Sequence, residues 1–301
     1  MNTYLKTIAL GGAALLCVPA FGEAMGRPGA LNYVEGAAAI QGQILTPNSV
    51  GSATLNPGEV LTTGDGRAEI LLTPGVFLRL DKDSAVKMIS PDLTHTQVEL
   101  ERGRASVEVD EIYKQNNLDV IDAGVSTQLV KPGYYEFEAN RPTAMVFDGK
   151  AAVEVGDGRY KTVKGHREFA LATGVNQQAL ASEKPAGFDT RDAEDDFYNW
   201  NSLRSQYLAE ANNEMAGAYG TSGYYPGWYW NPYALDYAFI GYDPFFSPFG
   251  WGYYPFGYGF YGGGFYGRGF YGGRGFYGGG FRGGGFGGGF GGGFHGGGGR
   301  R

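Results

Sequence analysis

Residues 69–80 decide the class of fold, and they run Glu-Ile-Leu-Leu-Thr-Pro-Gly-Val-Phe-Leu-Arg-Leu. Two short apolar runs flank the tripeptide Thr73-Pro74-Gly75, and a glycine-containing turn between two such runs predicts a β-hairpin. Further along the chain, Val98 and Leu100 alternate with polar neighbours. This alternation predicts strands with one buried face and one solvated face. No helical period interrupts the pattern before residue 189, which disfavours a parallel sheet built from βαβ units.

Turn-forming residues separate the predicted strands. Gly64-Asp65-Gly66, Asp148-Gly149 and Gly156-Asp157-Gly158 each combine residues that tolerate a positive φ angle. Short strands spaced roughly 8–12 residues apart are typical of all-β folds. We therefore predict, over residues 23–188, an all-β domain of twisted antiparallel sheets, arranged as a sandwich or as a solenoid-like stack. Strands are predicted at residues 31–35, 37–44, 69–72, 76–80, 85–89, 96–101, 105–109, 118–121, 127–130, 134–139, 143–147, 151–155 and 169–172.

The N-terminal segment has the layout of a signal for export. Lys6 precedes the apolar run Ile8–Val18, and Pro19-Ala20-Phe21-Gly22 supplies small residues at two alternate positions. A basic region, an apolar region and small residues in this order predict a signal peptide over residues 1–22, cleaved after Gly22. The protein is therefore predicted to be exported to the periplasm, the outer membrane or the cell surface.

Cys17, which lies inside this apolar run, is the single cysteine of the chain. A lipoprotein signal centred on Cys17 is the alternative, but Leu16 occupies the preceding position, where a small residue is expected. Cleavage after Gly22 would leave a mature chain with no cysteine for a disulfide or a thiolate metal site. Residues 237–260 are rich in apolar side chains, but prolines, glycines and an aspartate interrupt them, so no membrane span is predicted in the mature chain.

The charge distribution argues against a nucleic-acid partner. Residues 23–216 carry 18 basic and 29 acidic side chains, whereas residues 217–301 carry five arginines and two aspartates. Affinity for nucleic acids comes mainly from neutralising phosphates, which an acidic body does not do. Three Arg-Gly steps near the C-terminus resemble those of RNA-binding tails, but they are few. They lie at Arg268, Arg274 and Arg282.

A helical period appears at residues 189–216. Six apolar residues share one stripe of the predicted amphipathic helix, and Asp189 is placed to cap its N-terminus. The stripe either packs on the β domain, or Trp200 and Tyr207 anchor a partner or a second copy of the chain. Its members are Phe197, Trp200, Leu203, Tyr207, Leu208 and Ala211.

Residues 217–301 are of low complexity and contain 33 of the 54 glycines. Glycine loses much backbone entropy on folding and buries no side chain, so this segment is predicted to be a disordered tail. Its many aromatic residues, Trp228 and Trp230 among them, predict an adhesive extension. Such a tail could self-associate or bind a protein, a polysaccharide or a membrane surface.

Five short motifs, together with their order along the chain, resemble those of the FecR family. They are residues 31–36, 58–69, 78–80, 98–105 and 147–153, so the resemblance covers about residues 31–172. It implies an all-β domain with a protein partner. Founding FecR proteins are transmembrane regulators that relay an iron-siderophore signal to a sigma factor. This chain begins instead with the predicted signal peptide, and is similar to exported FecR-domain proteins with a glycine-aromatic C-terminus.

The sequence contains no pattern that predicts catalysis, a cofactor or a metal site. His95, His166 and His295 are each predicted to be solvated loop residues, and we predict that the protein is not an enzyme. The leading hypothesis is a structural or interaction protein of the cell envelope. The alternative is a periplasmic signalling module of FecR type that acts through a separate receptor or anti-sigma regulator. The candidate interaction residues are Phe197, Trp200, Tyr207, Trp228 and Trp230.

Overall fold

The computed structural model describes residues 26–171, 177–219, 226–232 and 234–254. The predicted signal peptide lies outside the described residues, as does the predicted tail beyond residue 254. Within the described ranges, no helix is both long enough and apolar enough to cross a membrane.

Fifteen strands form one sheet, which confirms the predicted all-β class. In chain order they are β1 (Leu31–Ile40), β2 (Gln43–Ile44), β3 (Val60–Leu71), β4 (Val76–Leu80), β5 (Ala85–Asp92), β6 (His95–Arg102), β7 (Arg104–Val109), β8 (Leu118–Asp122), β9 (Val125–Leu129), β10 (Gly133–Glu138), β11 (Thr143–Val146), β12 (Lys150–Glu154), β13 (Tyr160–Lys164), β14 (Arg167–Ala170) and β15 (Ala186–Gly187).

Neighbouring strands are antiparallel except for β6 and β8, which run parallel. The order across the sheet is β13-β12-β9-β8-β6-β5-β3-β4-β7-β10-β11-β14-β15, with β1 paired to β2 and β3. Side chains from distant strands share one apolar core, among them Val120 of β8, Val107 of β7 and Phe169 of β14. The sheet therefore curls so that one of its faces encloses this core.

The central hairpin confirms the prediction from residues 69–80. Leu71 of β3 lies opposite Phe77 of β4, and Gly75 in the connecting turn has a φ of 80°. The turn at Gly156-Asp157-Gly158 is also confirmed, since all three residues have positive φ.

The predicted turn at Gly64-Asp65-Gly66 is wrong. These residues lie inside the twelve-residue strand β3, and neither Gly64 nor Gly66 has a positive φ. Gly66 lies opposite Gly36 of β1, next to an irregularity in the strand register. The glycines here permit two backbones to approach closely at a bulge rather than reverse the chain.

We expect Gly66→Ala to lower the free energy of unfolding by about 1–3 kcal/mol, the usual cost of overpacking. A Cβ atom at Gly66 would lie 2.4 Å from the backbone nitrogen of Ala37 and 2.5 Å from the Glu35 carbonyl oxygen. Gly64→Ala is the matched control, because its nearest neighbour would be the Ala37 Cβ at 3.5 Å. Urea denaturation measures both variants, and equal stabilities would contradict this account of β3.

The described residues contain three α-helices: α1 (Gln177–Ser182), which lies between β14 and β15, and α2 (Thr190–Ala193) and α3 (Asp196–Tyr219), which follow the sheet. The helix predicted at residues 189–216 is thus divided. Asp189 caps α2, as predicted, by accepting a hydrogen bond from the Arg191 backbone N–H at 3.0 Å. Asp195 accepts from the backbone N–H groups of Phe197 and Tyr198, and so satisfies donors in the first turn of α3.

Part of the segment predicted to be disordered is folded. Strands β16 (Gly227–Asn231) and β17 (Asp236–Ile240) form one hairpin, and β18 (Phe245–Phe246) and β19 (Gly252–Tyr253) form another. Their aromatic side chains join a second apolar cluster with residues of the sheet and of α3. This burial outweighs the local glycine content. The cluster includes Leu71, Phe77, Leu208, Trp228, Phe239 and Tyr253.

Candidate functional site

Part of the sheet face that points away from the main core is polar, and α3 covers it. Glu69 of β3 lies opposite Arg79 of β4, and Arg79 lies opposite Ser106 of β7. Side chains alternate between the two faces of a strand, so these three and Glu108, two residues further along β7, share this face. All four are fully buried. The central strands β3, β4 and β7 are therefore buried on both faces at these positions.

A network of ion pairs fills the space between this face and α3. Arg79 Nε donates to Glu69 Oε2 at 2.6 Å, and Arg79 Nη1 donates to Glu108 Oε2 at 2.5 Å. Arg204 of α3 donates to Glu69 Oε1 at 3.0 Å and to Asp236 Oδ2 at 2.9 Å. Two guanidinium groups thus bridge three carboxylates from the sheet and from hairpin β16–β17.

Neutral side chains satisfy further atoms of the network. Ser205 of α3 donates to Glu108 Oε1 at 2.6 Å, and Ser106 donates to Asn201 Oδ1 at 2.7 Å. Asn32 of β1 donates to Glu69 Oε1 at 2.7 Å and accepts from the Tyr237 backbone N–H. Buried charges are tolerated when their remaining hydrogen-bonding groups are satisfied in this way.

The N-terminus of α3 is held to the sheet by further ion pairs. Arg67 pairs with Asp196 at 2.6 Å, and Arg104 pairs with Asp195 at 2.6 Å. Both guanidinium groups also lie over the Phe197 ring, at 5.7 and 5.2 Å from its centroid. Phe197 is therefore enclosed between cations of the sheet and its own helix.

Two buried carboxyl groups near Arg79 titrate in opposite directions. Burial raises the pKa of Glu69, but Arg204 and Arg79 together outweigh it, and the pKa lies below its ordinary value. Burial, reinforced by the neighbouring Glu108, raises the pKa of Asp110 well above its ordinary value. Neither carboxyl oxygen of Asp110 has a hydrogen-bond partner among the described residues. Glu69 is thus the ionised anchor of the network, and Asp110 favours its neutral form.

We expect Asp110→Asn to stabilise the protein increasingly as the pH rises. A raised folded-state pKa means that the contribution of Asp110 is greatest below its unfolded pKa, about 3.9, and is lost as the pH rises towards the folded pKa. The neutral amide avoids this loss. Urea unfolding at pH 5 and pH 8 measures the difference between variant and wild type. A difference that is constant across this range would contradict the assignment. Asp92→Asn, at an exposed position, is the control.

An open cleft of about 490 Å³ lies beside the network, between α3, β1 and the start of β17. Tyr33 of β1 and Trp200 of α3 form its aromatic wall, with ring centroids 6.1 Å apart. The Arg204 guanidinium lies 4.6 Å from the Tyr33 ring centroid, below the cleft. The full lining is Tyr33, Glu35, Trp200, Leu203, Arg204, Tyr207, Glu210, Ala211, Glu214, Ala234 and Asp236.

The structure brings two of the five predicted interaction residues together. Trp200 and Tyr207 both line the cleft, and Tyr207 is 56% exposed. Phe197 and Trp228 are instead buried, so in this structure they contribute to packing. Trp230 is half-buried against Tyr237, with ring centroids 5.1 Å apart, and does not line the cleft.

The predicted apolar stripe of α3 packs only in part, since Phe197, Leu208 and Ala211 are buried whereas Leu203 and Tyr207 are exposed. The buried face of the helix also includes the polar residues Asn201, Arg204 and Ser205. The sequence analysis missed these polar residues, together with their partners on the sheet. A signal for them exists in Val76-Phe77-Leu78-Arg79-Leu80, where an arginine interrupts a strand of otherwise apolar residues.

Within the described ranges, no group of three or more His, Cys, Asp or Glu side chains is placed to hold a metal ion. The charged groups closest to the cleft floor are held by internal ion pairs. The arrangement can therefore offer an aromatic and acidic surface to a ligand.

The fold and this surface define a β-sheet module with a helix docked on a polar face. The family model described as FecR protein matches residues 59–159 of the chain. This match confirms the resemblance that the sequence motifs indicated. It spans β3 to β12, which include the strands that carry Glu69, Arg79 and Glu108.

Two crystal structures of a candidate anti-sigma factor from Parabacteroides distasonis ATCC 8503, at 2.50 and 1.65 Å resolution, are similar to part of this chain. Each aligns with 11% sequence identity and a TM-score of 0.37, and covers 44% of this chain. The alignment spans 62% of that protein's own chain. This similarity is too low to support a functional conclusion. A search of curated proteins finds no significant match.

Proposed function

We propose that this protein is a non-enzymatic, FecR-type signalling module that binds a separate partner protein at the cell envelope. The observation that carries the proposal is the FecR match over residues 59–159. The FecR resemblance implies regulation through protein contacts. The partner would be a membrane receptor or an anti-sigma regulator.

The geometry supports a binding role for the described part of the chain. The buried charges of Glu69, Arg79 and Glu108 are used to dock α3, because each is paired inside the protein. The cleft beside them is open and has an aromatic wall. Aromatic side chains that remain partly exposed are common anchors at protein interfaces.

Export is part of the proposal. The predicted signal peptide at residues 1–22 would deliver the module to the periplasm, the outer membrane or the cell surface. A partner in the membrane would then carry the signal across it.

A structural role in the envelope is the second candidate. The glycine and aromatic repeats of residues 255–301 favour it, since such a composition is suited to self-association or adhesion. In that case the FecR domain would be a rigid support, and the partner would be another copy of the chain or an envelope polymer.

The test combines a genetic and a biochemical measurement on the full chain. We would delete the gene in its native host, restore it, and compare transcripts of genes that depend on alternative sigma factors. In-cell cross-linking of the restored protein would identify its neighbours. A signalling module predicts that transcripts change on deletion and recover on restoration, and that a membrane receptor or regulator is cross-linked.

Unchanged transcripts, with cross-links confined to copies of the chain or to wall polymer, would overturn the signalling role and favour the structural one. A chain without residues 1–22 is the control for export. If that chain restored the transcripts, the proposal that the protein acts outside the cytoplasm would be wrong.

A further inference from the structure

The lining of the cleft includes Asp236, a carboxylate that has one buried oxygen without a hydrogen-bond donor among the described residues. Asp236 is 4% exposed and lines the cleft, and its Oδ2 accepts from Arg204 at 2.9 Å. Its Oδ1 has no hydrogen-bond partner among the described residues. A buried carboxylate oxygen without a donor is costly, so this atom favours a ligand that brings one.

The wall of the cleft is suited to a cation. Tyr33 and Trp200 present aromatic rings, and Tyr207 adds a third ring about two helical turns beyond Trp200 on α3. The faces of such rings attract ammonium and guanidinium groups. The same chemistry already operates inside the protein, where Arg204 lies over Tyr33 and Arg67 lies over Trp200 at 5.3 Å.

The residues that line the cleft carry a net negative charge, which attracts a cation. Four carboxylates line the cleft, against the single guanidinium of Arg204. Arg204 is itself paired with Glu69 and Asp236, so it contributes little free positive charge. Glu210 and Glu214 are exposed and Glu35 is half-buried at the rim. The uncompensated charge of the cleft is therefore negative.

We propose that this cleft binds a lysine or arginine side chain from an extended, basic segment of the partner protein, with the cation held between the aromatic wall and Asp236. The proposal rests on the proposed function, because it names the chemistry of the partner that the module would bind.

The shape of the site favours a protein segment over a small free cation. The volume of about 490 Å³ falls within the roughly 300–1,000 Å³ of typical ligand clefts. The apolar surface continues beyond the cation position through Leu203, which is 49% exposed, and Tyr207. Both project from α3, so side chains that neighbour the basic residue can pack along the helix.

The test uses the purified full chain and a fluorescein-labelled peptide, Gly-Leu-Lys-Trp-Lys-Leu-Gly. Fluorescence anisotropy measures its binding, together with that of peptides in which glutamine or glutamate replaces both lysines. We expect the lysine peptide to bind at least about tenfold more tightly than the glutamine peptide, and the glutamate peptide to bind more weakly still.

The decisive variant is Glu210→Gln/Glu214→Gln, at two exposed positions where folding is not at risk. We expect it, and separately Tyr207→Ala, to weaken binding of the lysine peptide by about tenfold. Asp92→Asn/Glu101→Gln is the matched control, because it removes the same charge from exposed positions of β5 and β6. Circular dichroism confirms that each variant is folded.

If the control variant Asp92→Asn/Glu101→Gln lost binding equally, the effect would be one of overall charge, and the proposal that the cleft binds the basic side chain would be wrong. Binding of the three peptides with equal affinity would also overturn the proposal. Displacement of the lysine peptide by spermidine at equal concentration would show that a small cation occupies the cleft, and would overturn the choice of a protein segment. The result is independent of the transcript measurement, so failure of the cleft and failure of the signalling role can be told apart.

Discussion

Arg79→Met is expected to lower the free energy of unfolding by about 3–5 kcal/mol, the usual cost of removing one partner from a buried ion pair. Arg79 is fully buried and bridges Glu69 and Glu108 at 2.6 and 2.5 Å. Methionine is similar in length and apolar, so the substitution leaves little empty volume. The main loss is the charge that compensates two buried carboxylates.

Urea denaturation of the full chain measures this effect. Arg159→Met is the matched control, since the Arg159 side chain is 62% exposed and its ion pair with Asp157 spans 3.5 Å at the surface. Exposed pairs of this kind contribute about 0–1 kcal/mol. If the two variants had similar stabilities, the network would not hold α3 to the sheet.

A double variant separates the lost charge from any lost packing. In Arg79→Met/Glu108→Gln, one of the two uncompensated carboxylates is also removed. We expect the double variant to lose less free energy of unfolding than the two single variants lose in total, because residues in one ion-pair network are coupled. Strict additivity would show that Arg79 acts mainly through packing, including its contact with the Phe77 ring.

Phe239→Ala is expected to lower the free energy of unfolding by about 3–5 kcal/mol, as for other large aromatic side chains in a core. Phe239 is fully buried, and its ring lies 5.3 Å from that of Trp228 and 5.9 Å from that of Phe245. Its backbone carbonyl also accepts a hydrogen bond from Asn212 of α3. The variant therefore tests whether hairpin β16–β17 belongs to the folded unit.

Phe246→Ala is the matched control, because Phe246 is 69% exposed in the neighbouring hairpin. It should change the stability by less than about 0.5 kcal/mol, as surface substitutions usually do. Equal, small effects of both substitutions would mean that residues 227–253 contribute no core. Truncations designed to test the tail should accordingly end beyond Tyr254 and not at Ala216, where they would remove this packing.

The ion-pair network explains why α3 and the sheet form one unit, although α3 lies outside the residues that match the FecR model. Buried ion pairs add little net stability compared with apolar packing, because desolvation opposes the Coulomb attraction. They do restrict the arrangement, since Arg204 satisfies both Glu69 and Asp236 in one position of the helix. The same position of α3 places Trp200 and Tyr207 at the cleft.

The sequence by itself determined the β-rich domain, its central hairpin and the capped helical region after it. These features depend on period and on turn residues, which are local properties of the chain. Thr73-Pro74-Gly75 and Asp189 acted as predicted because each needs only its near neighbours. The FecR motifs were visible for the same reason, as ordered combinations of strand and turn residues.

Only the tertiary structure decided which surfaces became interior. Alternation along β7 predicts a solvated face, yet Glu108 is buried, together with Glu69 of β3 and Arg79 of β4, because α3 lies over them. The aromatic hairpin at residues 227–240 folds because the sheet and α3 offer it an apolar surface. Burial of a residue depends on what lies across from it in space, and contacts between residues more than a hundred positions apart, such as Glu69 and Arg204, leave no local pattern in the sequence.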